Sequence, residues 1–97
     1  LTVQSVVSGF SDESKEMLMV VVEQANFSHL IDKSTQLIPM LSSLPGQQLR
    51  FIAAVFKLHH GIKLRQRSRK NSDVVAVFLI SVSRLVRNQT VKSQKSV

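Results

Sequence analysis

Four stretches of the chain are rich in apolar side chains, and polar segments separate them. The first covers about 12–25. It opens with Ser11 as a candidate N-cap and with acidic side chains in its first turns, where they favour the positive end of the helix dipole. The valines of 20–22 would also suit a buried strand. The capped, acidic start favours a helix, and we predict one here.

The second stretch begins at Asn26 or Ser28, either of which can cap a helix. Its apolar side chains recur at helical spacing, with polar residues between them. They are Leu30, Ile31, Leu37, Ile38 and Leu41. Pro39 interrupts the pattern because it removes a backbone donor and crowds the preceding turn. The helix is therefore expected to end near Leu37 or to kink there.

The third stretch, which leads from Pro45 into a dense group of basic residues, is the centre of the pattern. Pro45 suits the first helical position, and Gly61 suits a left-handed C-cap. Two apolar stripes run side by side on this helix. The first contains Leu49, Ile52, Ala53 and Phe56, and the second contains Phe51, Val55, Leu58 and Ile62. Stripes this broad predict a central helix that contacts neighbours on more than one side.

The fourth helix is predicted to follow a basic loop, 62–71, with Ser72 as its N-cap. Apolar side chains cover nearly its whole circumference from Val74 and narrow to one face by Val86. Their β-branched content keeps a strand as the alternative. From about 89 the chain is polar and basic, and we predict a mobile tail. Residues 1–10 form an apolar arm that the pattern leaves unassigned between a strand and the end of a helix.

Composition agrees with a helical fold. The chain has 97 residues, enough for one domain, with three glycines, two prolines and no cysteine. We predict an all-α protein, a compact bundle of about four helices over 11–88 with a basic loop before the last helix. Its apolar runs are shorter than the roughly 18 residues of a membrane span, so we expect a soluble chain and no membrane partner.

Charge is divided unevenly between the two halves. Residues 1–48 carry five acidic side chains and two lysines, a net charge of −3, whereas 49–97 carry eleven Lys and Arg and one Asp, a net charge of +10. This asymmetry indicates an acidic partner, such as nucleic acid, anionic lipid or an acidic protein surface. A localisation signal or a merely solubilising segment has the same pattern.

The candidate binding residues are the cations of the basic segment and of the last helix. They are Lys63, Arg65, Arg67, Arg69, Lys70, Arg84 and Arg87. Whether the segment is extended or helical, several of its cations share one side, and arginine suits bidentate contacts to phosphate or carboxylate. Tyr and Trp are absent and every Phe lies in an apolar pattern, so base stacking and sequence-specific readout are not expected. One continuous positive surface requires that the last helix bring Arg84 and Arg87 alongside the segment.

Catalytic and metal motifs are absent from the sequence. His59 and His60 are adjacent and diverge by roughly 100° on a helix, so they cannot face one metal ion together. We interpret them as residues near the exposed carbonyls at the end of their own helix. We therefore expect no enzymatic activity, cofactor or small-molecule substrate.

Two functions remain. The first is a non-catalytic protein-interaction domain, which binds a protein partner or a second copy of itself through an apolar helix face or groove. Its basis is that three segments are apolar nearly all round, more than a monomer of this size easily buries. The alternative is a largely sequence-nonspecific nucleic-acid-binding module that acts through 63–70. Both suit an intracellular, nuclear assembly.

Overall fold

A computed structural model describes the backbone of residues 1–64 and 69–95 and the side chains of those residues up to Asn88. The described chain contains five α-helices and one π-helical stretch, here called the π-segment. In chain order they are α1 Val3–Val6, α2 Asp12–Leu18, the π-segment Met19–Glu23, α3 Phe27–Ser42, α4 Gly46–Leu64 and α5 Arg69–Lys95. Since no strand occurs in these ranges, the all-α prediction is confirmed and the strand alternatives are wrong.

The N-terminal arm, which the pattern left unassigned, contains the single helical turn α1. Thr2 and Ser5 form a reciprocal capping box, in which each hydroxyl oxygen accepts from the other residue's N–H at 3.0–3.1 Å. This turn buries Val3 and Val6 in the core, together with Val7, and packs on α4 and the π-segment. The arm is thus part of the bundle.

The predicted helix 12–25 forms as two joined pieces. Ser11 caps α2 by accepting from the Ser14 N–H at 3.2 Å, as expected. The backbone then widens into the π-segment, where the Gln24 N–H donates to the Met19 carbonyl at 3.2 Å. Ala25 ends the segment with φ 52°, a left-handed conformation that costs an alanine roughly 1–2 kcal/mol. Nothing in the sequence pattern predicted the wider turn.

Helix α3 continues through Pro39 to Ser42, so the first of the two expectations, an end near Leu37, is wrong, and a kink there stays a prediction. Asn26 caps it, because its side-chain oxygen accepts from the His29 N–H at 2.9 Å. Leu37 and Leu41, on either side of the proline, are buried. Packing of this apolar face offsets the helix-breaking cost of about 3 kcal/mol that a mid-helix proline carries.

Helix α4 is longer than predicted at its C-terminal end. It begins at Gly46, and the Leu49 N–H donates to the Pro45 carbonyl at 2.9 Å. Pro45 therefore lies just before the helix and not in its first position. The helix passes through Gly61, and no described glycine has a positive φ. The predicted left-handed cap is wrong because Leu64 beyond it packs against the core.

Both ends of the predicted basic loop, 62–71, are helical, since Lys63 lies in α4 and Arg69 begins α5. Residues 65–68, including Arg65 and Arg67, lie outside the described residues. Ser72 is inside the first turns of α5, so its assignment as an N-cap is wrong. Helix α5 also passes the predicted end near Asn88 and reaches Lys95. The mobility of the tail stays a prediction.

Helices α3, α4 and α5 and the π-segment enclose one core. Helix α5 packs against both α4 and α3, and α4 also packs against the π-segment. At the centre, the rings of Phe56 and Phe78 lie 4.9 Å apart and join α4 to α5. The first predicted stripe of α4 supplies Leu49, Ile52 and Phe56 to this core. Two features of this bundle are the contact of α4 with the π-segment and the surfaces that α4 and α5 leave exposed.

Candidate interaction surfaces

The first feature is a polar contact between α4 and the C-terminal end of the π-segment, here called the polar contact. A helix end leaves backbone carbonyls without partners inside the helix. Three side chains from neighbouring turns of α4 bind such carbonyls here. His59 Nδ1 lies 2.9 Å from the Val22 oxygen, His60 Nε2 lies 2.8 Å from the Val21 oxygen, and Lys63 Nζ donates to the Gln24 oxygen at 2.6 Å. The two histidines therefore bind carbonyls of another helix and not those of their own, which corrects the sequence-based interpretation.

His60 occupies a fully buried position within this contact. Its ring lies 4.0 Å from the ring of Phe56 and 5.2 Å, edge to face, from the ring of Phe27. A carbonyl can only accept, so Nε2 carries the proton and Nδ1 presents a lone pair. Nδ1 is buried without a hydrogen-bond partner. A second proton there would be buried and unpaired, which is costly.

The environment of His60 lowers its pKa below the ordinary value of 6.5. Desolvation by burial is the main cause, and the nearby Lys63 and His59 act in the same direction. The hydrogen bond to the Val21 carbonyl opposes them. His60 is thus a neutral core residue near pH 7. In the part of the chain that the structure describes, no three His, Asp or Glu side chains come together in a way that could hold a metal ion.

The second feature is an open groove between α3 and α5, here called the α3–α5 groove, with a volume of about 470 Å³. Leu30 and Phe78, both buried, form its floor. Ile31 of α3 and Val77 of α5 line it and are 47% and 64% exposed. Ser34 adds a polar group to the α3 wall. The groove therefore offers apolar side chains to solvent directly above the core.

A further apolar surface follows the second predicted stripe of α4. Phe51 and Val55 are half-buried, whereas Leu58 and Ile62 are 59% and 54% exposed. The prediction that α4 contacts neighbours on several sides is confirmed, because it packs against α1, the π-segment and α5. Leu58 and Ile62, in the C-terminal half of this stripe, are not covered by those neighbours.

The five predicted cations that the structure describes do not form one continuous surface. Lys63 lies in the last turn of α4, and Arg69 and Lys70 are exposed in the first turn of α5. Arg84 and Arg87 are also exposed on α5, but they lie about 22 and 27 Å along the helix axis from Arg69. The condition set for a single positive surface is therefore not met by the described residues.

Arg84 and Arg87 lie instead toward the other end of α4. Ser83 and Val86, their neighbours in sequence, face Arg50 and Lys57 of α4 across a smaller groove of about 280 Å³. The predicted cations that the structure describes thus divide into one group at the α4–α5 junction and another nearer the C-terminal end of α5. Each group borders an apolar surface.

Sequence reasoning did not identify the α3–α5 groove. The available signal was an excess of apolar positions, because Ile31 and Val77 fall beside the buried stripes of their helices. Which two helices would face each other across these positions depends on tertiary packing alone. The sequence therefore predicted that some apolar surface stays exposed, but not where in the fold it lies.

Within the described residues, no helix has the length and apolar character to cross a membrane. Comparison of the chain with protein-family models, with curated proteins and with solved structures gives no match.

Proposed function

We propose that this protein is a non-catalytic helical interaction domain that binds a protein partner through the α3–α5 groove. The observation that carries the proposal is the exposure of Ile31 and Val77, which face solvent across a groove whose floor is the core itself. Removing apolar surface from water contributes roughly 25 cal/mol per Å². A partner that covers this groove would gain that contribution without rearranging the bundle.

Shape supports a protein partner over a small molecule. The groove is open along its length, whereas sites for small molecules are concave and bury most of the ligand. Two of the three histidines, His59 and His60, are already bound to backbone carbonyls. These features support a surface that binds and does not catalyse.

A photo-reactive amino acid at position 77 tests the proposal. We expect ultraviolet irradiation in cells to cross-link a defined protein at Val77, because a partner in the groove would contact this side chain. The matched control carries the same amino acid at Gln47, an exposed polar position on α4. Equal and unspecific labelling at both positions would overturn the proposal.

Nucleic-acid binding is the second candidate, and the N-terminus of α5 favours it. Arg69 and Lys70 are both exposed in a first turn that holds no acidic side chain. The positive end of the helix dipole reinforces their charge and would attract phosphate. Lys63 at the end of α4 adds a third cation to this junction. Such binding would be largely independent of sequence and would suit a nuclear location.

A salt titration with duplex and single-stranded oligonucleotides tests the second candidate. We expect affinity to fall steeply with salt, and the double substitution of Arg69 and Lys70 by Gln to reduce the slope of log K against log salt by about 1–2. The same substitution at Lys57, exposed on α4 away from the junction, is the control. Absence of binding at low salt would exclude this function.

A further inference from the structure

We propose that the occupant of the α3–α5 groove is an amphipathic helix of another protein, with acidic side chains flanking its apolar stripe. This inference rests on the proposed function and names the chemistry of the partner. It follows from the length of the groove, from the absence of a strand edge in its walls and from the charges at its ends.

The dimensions of the groove match two turns of a helix. Its α3 wall extends from Ile31 to Ile38, about 10 Å along the axis, and its α5 wall from Asp73 to Ser81, about 12 Å. A helix laid between them would contact both walls with residues at i, i+3 or i+4, and i+7, the usual anchors of helix-in-groove recognition. Leu30 and Phe78 beneath would meet its apolar stripe.

An extended peptide is a poor occupant because both walls are helices. Their backbone N–H and C=O groups are used within α3 and α5, so the groove offers no strand edge for pairing. The main-chain groups of an extended ligand would then be desolvated over apolar side chains without partners, which is costly. A helix satisfies its own backbone and presents only side chains.

The charges at the two ends of the groove favour a partner helix with acidic side chains. On α5, Lys70 precedes Val74 by one turn, and Arg84 follows Ser81 by three residues, so both cations continue the groove-facing side of the helix beyond its two ends. Both are exposed. Asp73 is the only charged residue among those that line the groove. With Lys70 and Arg84 beyond the two ends, this side of α5 carries two positive charges and one negative charge, a net charge of +1. Nearby on α3, Asp32 and Lys33 lie 3.8 Å apart and offset each other.

A second copy of this chain fits the groove less well than a different protein. One surface that a second copy could offer is the exposed apolar stripe of α4, with Leu58 and Ile62. It carries Lys57 and Lys63 beside it and no acidic residue between them. These cations would approach Lys70 and Arg84 of the first copy, and like charges oppose such an approach. The net charge of +7 on each chain adds to this repulsion.

Two synthetic helical peptides test the inference. Both carry the same leucine stripe at i, i+4 and i+7, and one is flanked by glutamates and the other by lysines. Binding to the full chain is measured by fluorescence anisotropy, and its location by backbone amide chemical shifts. We expect the acidic peptide to bind roughly tenfold more tightly than the basic one, because it gains two exposed ion pairs. The amide shifts should centre on Ile31 and Val77.

Variants locate the effect. The double charge reversal Lys70→Glu and Arg84→Glu should invert the preference between the two peptides. Val77→Ser should weaken both peptides, whereas Leu58→Ser, an equally exposed position on α4, should change neither. A thermal melt of each variant confirms that these exposed substitutions leave the bundle folded.

The outcomes separate this inference from the proposed function. Equal binding of both peptides, lost on Val77→Ser, would overturn the acidic character and leave the groove as a binding site. Failure of both peptides, with cross-linking at position 77 to a second copy of the chain, would overturn the inference and leave an interaction domain that self-associates. Failure of both peptides together with absence of cross-linking would overturn both.

Discussion

The polar contact and the α3–α5 groove differ in whether the chain covers its own helix surface. At the polar contact, His59, His60 and Lys63 bind three carbonyls at the end of the π-segment and just beyond it. In the groove, Ile31 and Val77 leave 47% and 64% of their surface in water. One surface is closed by the chain itself, and the other is open.

The difference shows which surface the fold itself requires. The buried carbonyl of Val21 would cost free energy without a donor, so its contact with His60 must form in the isolated molecule. An apolar side chain in water carries no such requirement, because much of any protein surface is apolar. Changes at the polar contact should therefore reduce stability, whereas changes in the groove should affect binding alone.

The largest effect is expected for His60→Ala. It removes a ring packed between Phe27 and Phe56 and leaves the Val21 carbonyl without its donor. We expect the free energy of unfolding to fall by about 3 kcal/mol. Denaturant unfolding measures this loss. His59→Ala, at a half-buried position, is the control and should reduce the free energy of unfolding by less. A loss below about 1 kcal/mol would contradict the core role of His60.

Lowering the pH should produce the next effect. Because burial lowers the pKa of His60, the unfolded chain binds a proton more readily than the folded chain. The contribution of neutral His60 to the free energy of unfolding is fully present above the unfolded pKa of about 6.5. It is lost as the pH falls through the folded pKa. His60→Gln keeps a donor for Val21 and removes the titration, so its pH dependence should be flatter. Parallel curves for the two proteins would contradict this.

Lys63→Met should reduce the free energy of unfolding by about 1 kcal/mol. It removes the hydrogen bond to the Gln24 carbonyl and a positive charge at the end of the π-segment. Lys57→Met, on the exposed side of the same helix, is the matched control and should change stability by less than about 0.5 kcal/mol. Equal losses in both variants would show that the Lys63 contact contributes nothing specific.

Gly61→Ala should stabilise the protein by about 0.5–1 kcal/mol. Gly61 lies within α4, and a methyl group built there meets no atom within 4 Å. Alanine loses less backbone entropy than glycine in a helix. A left-handed cap would reverse the sign, so thermal unfolding of this variant decides whether α4 continues to the Lys63 contact in solution.

The smallest effect on stability is expected in the groove. Val77→Ser should change the free energy of unfolding by less than about 0.5 kcal/mol, because the side chain is mostly exposed. The same substitution at buried Val82 should cost several times more, since it places a hydroxyl in the core. A large loss at Val77 would mean that the groove is closed in solution.

The four longer helices, and the beginnings of α2 and α3, could be predicted from the sequence. Ser11 and Asn26 cap as expected because capping depends on a side chain and a backbone N–H three residues away. Leu49, Ile52 and Phe56 are buried because a helical stripe is a local pattern. The charge asymmetry is likewise a property of the sequence alone.

Tertiary structure decided the rest, because each remaining feature joins residues far apart in the chain. Gly61 is an ordinary helical residue because the next turn of α4 makes tertiary contacts: Leu64 packs against the core and Lys63 binds the Gln24 carbonyl. His60 is buried because it packs against the π-segment, where it binds the Val21 carbonyl, 39 residues earlier in the chain. Arg84 and Arg87 are separated from Arg69 because α5 is one uninterrupted helix. The α3–α5 groove exists because α3, which exposes Ile31, and α5, which exposes Val77, lie next to each other.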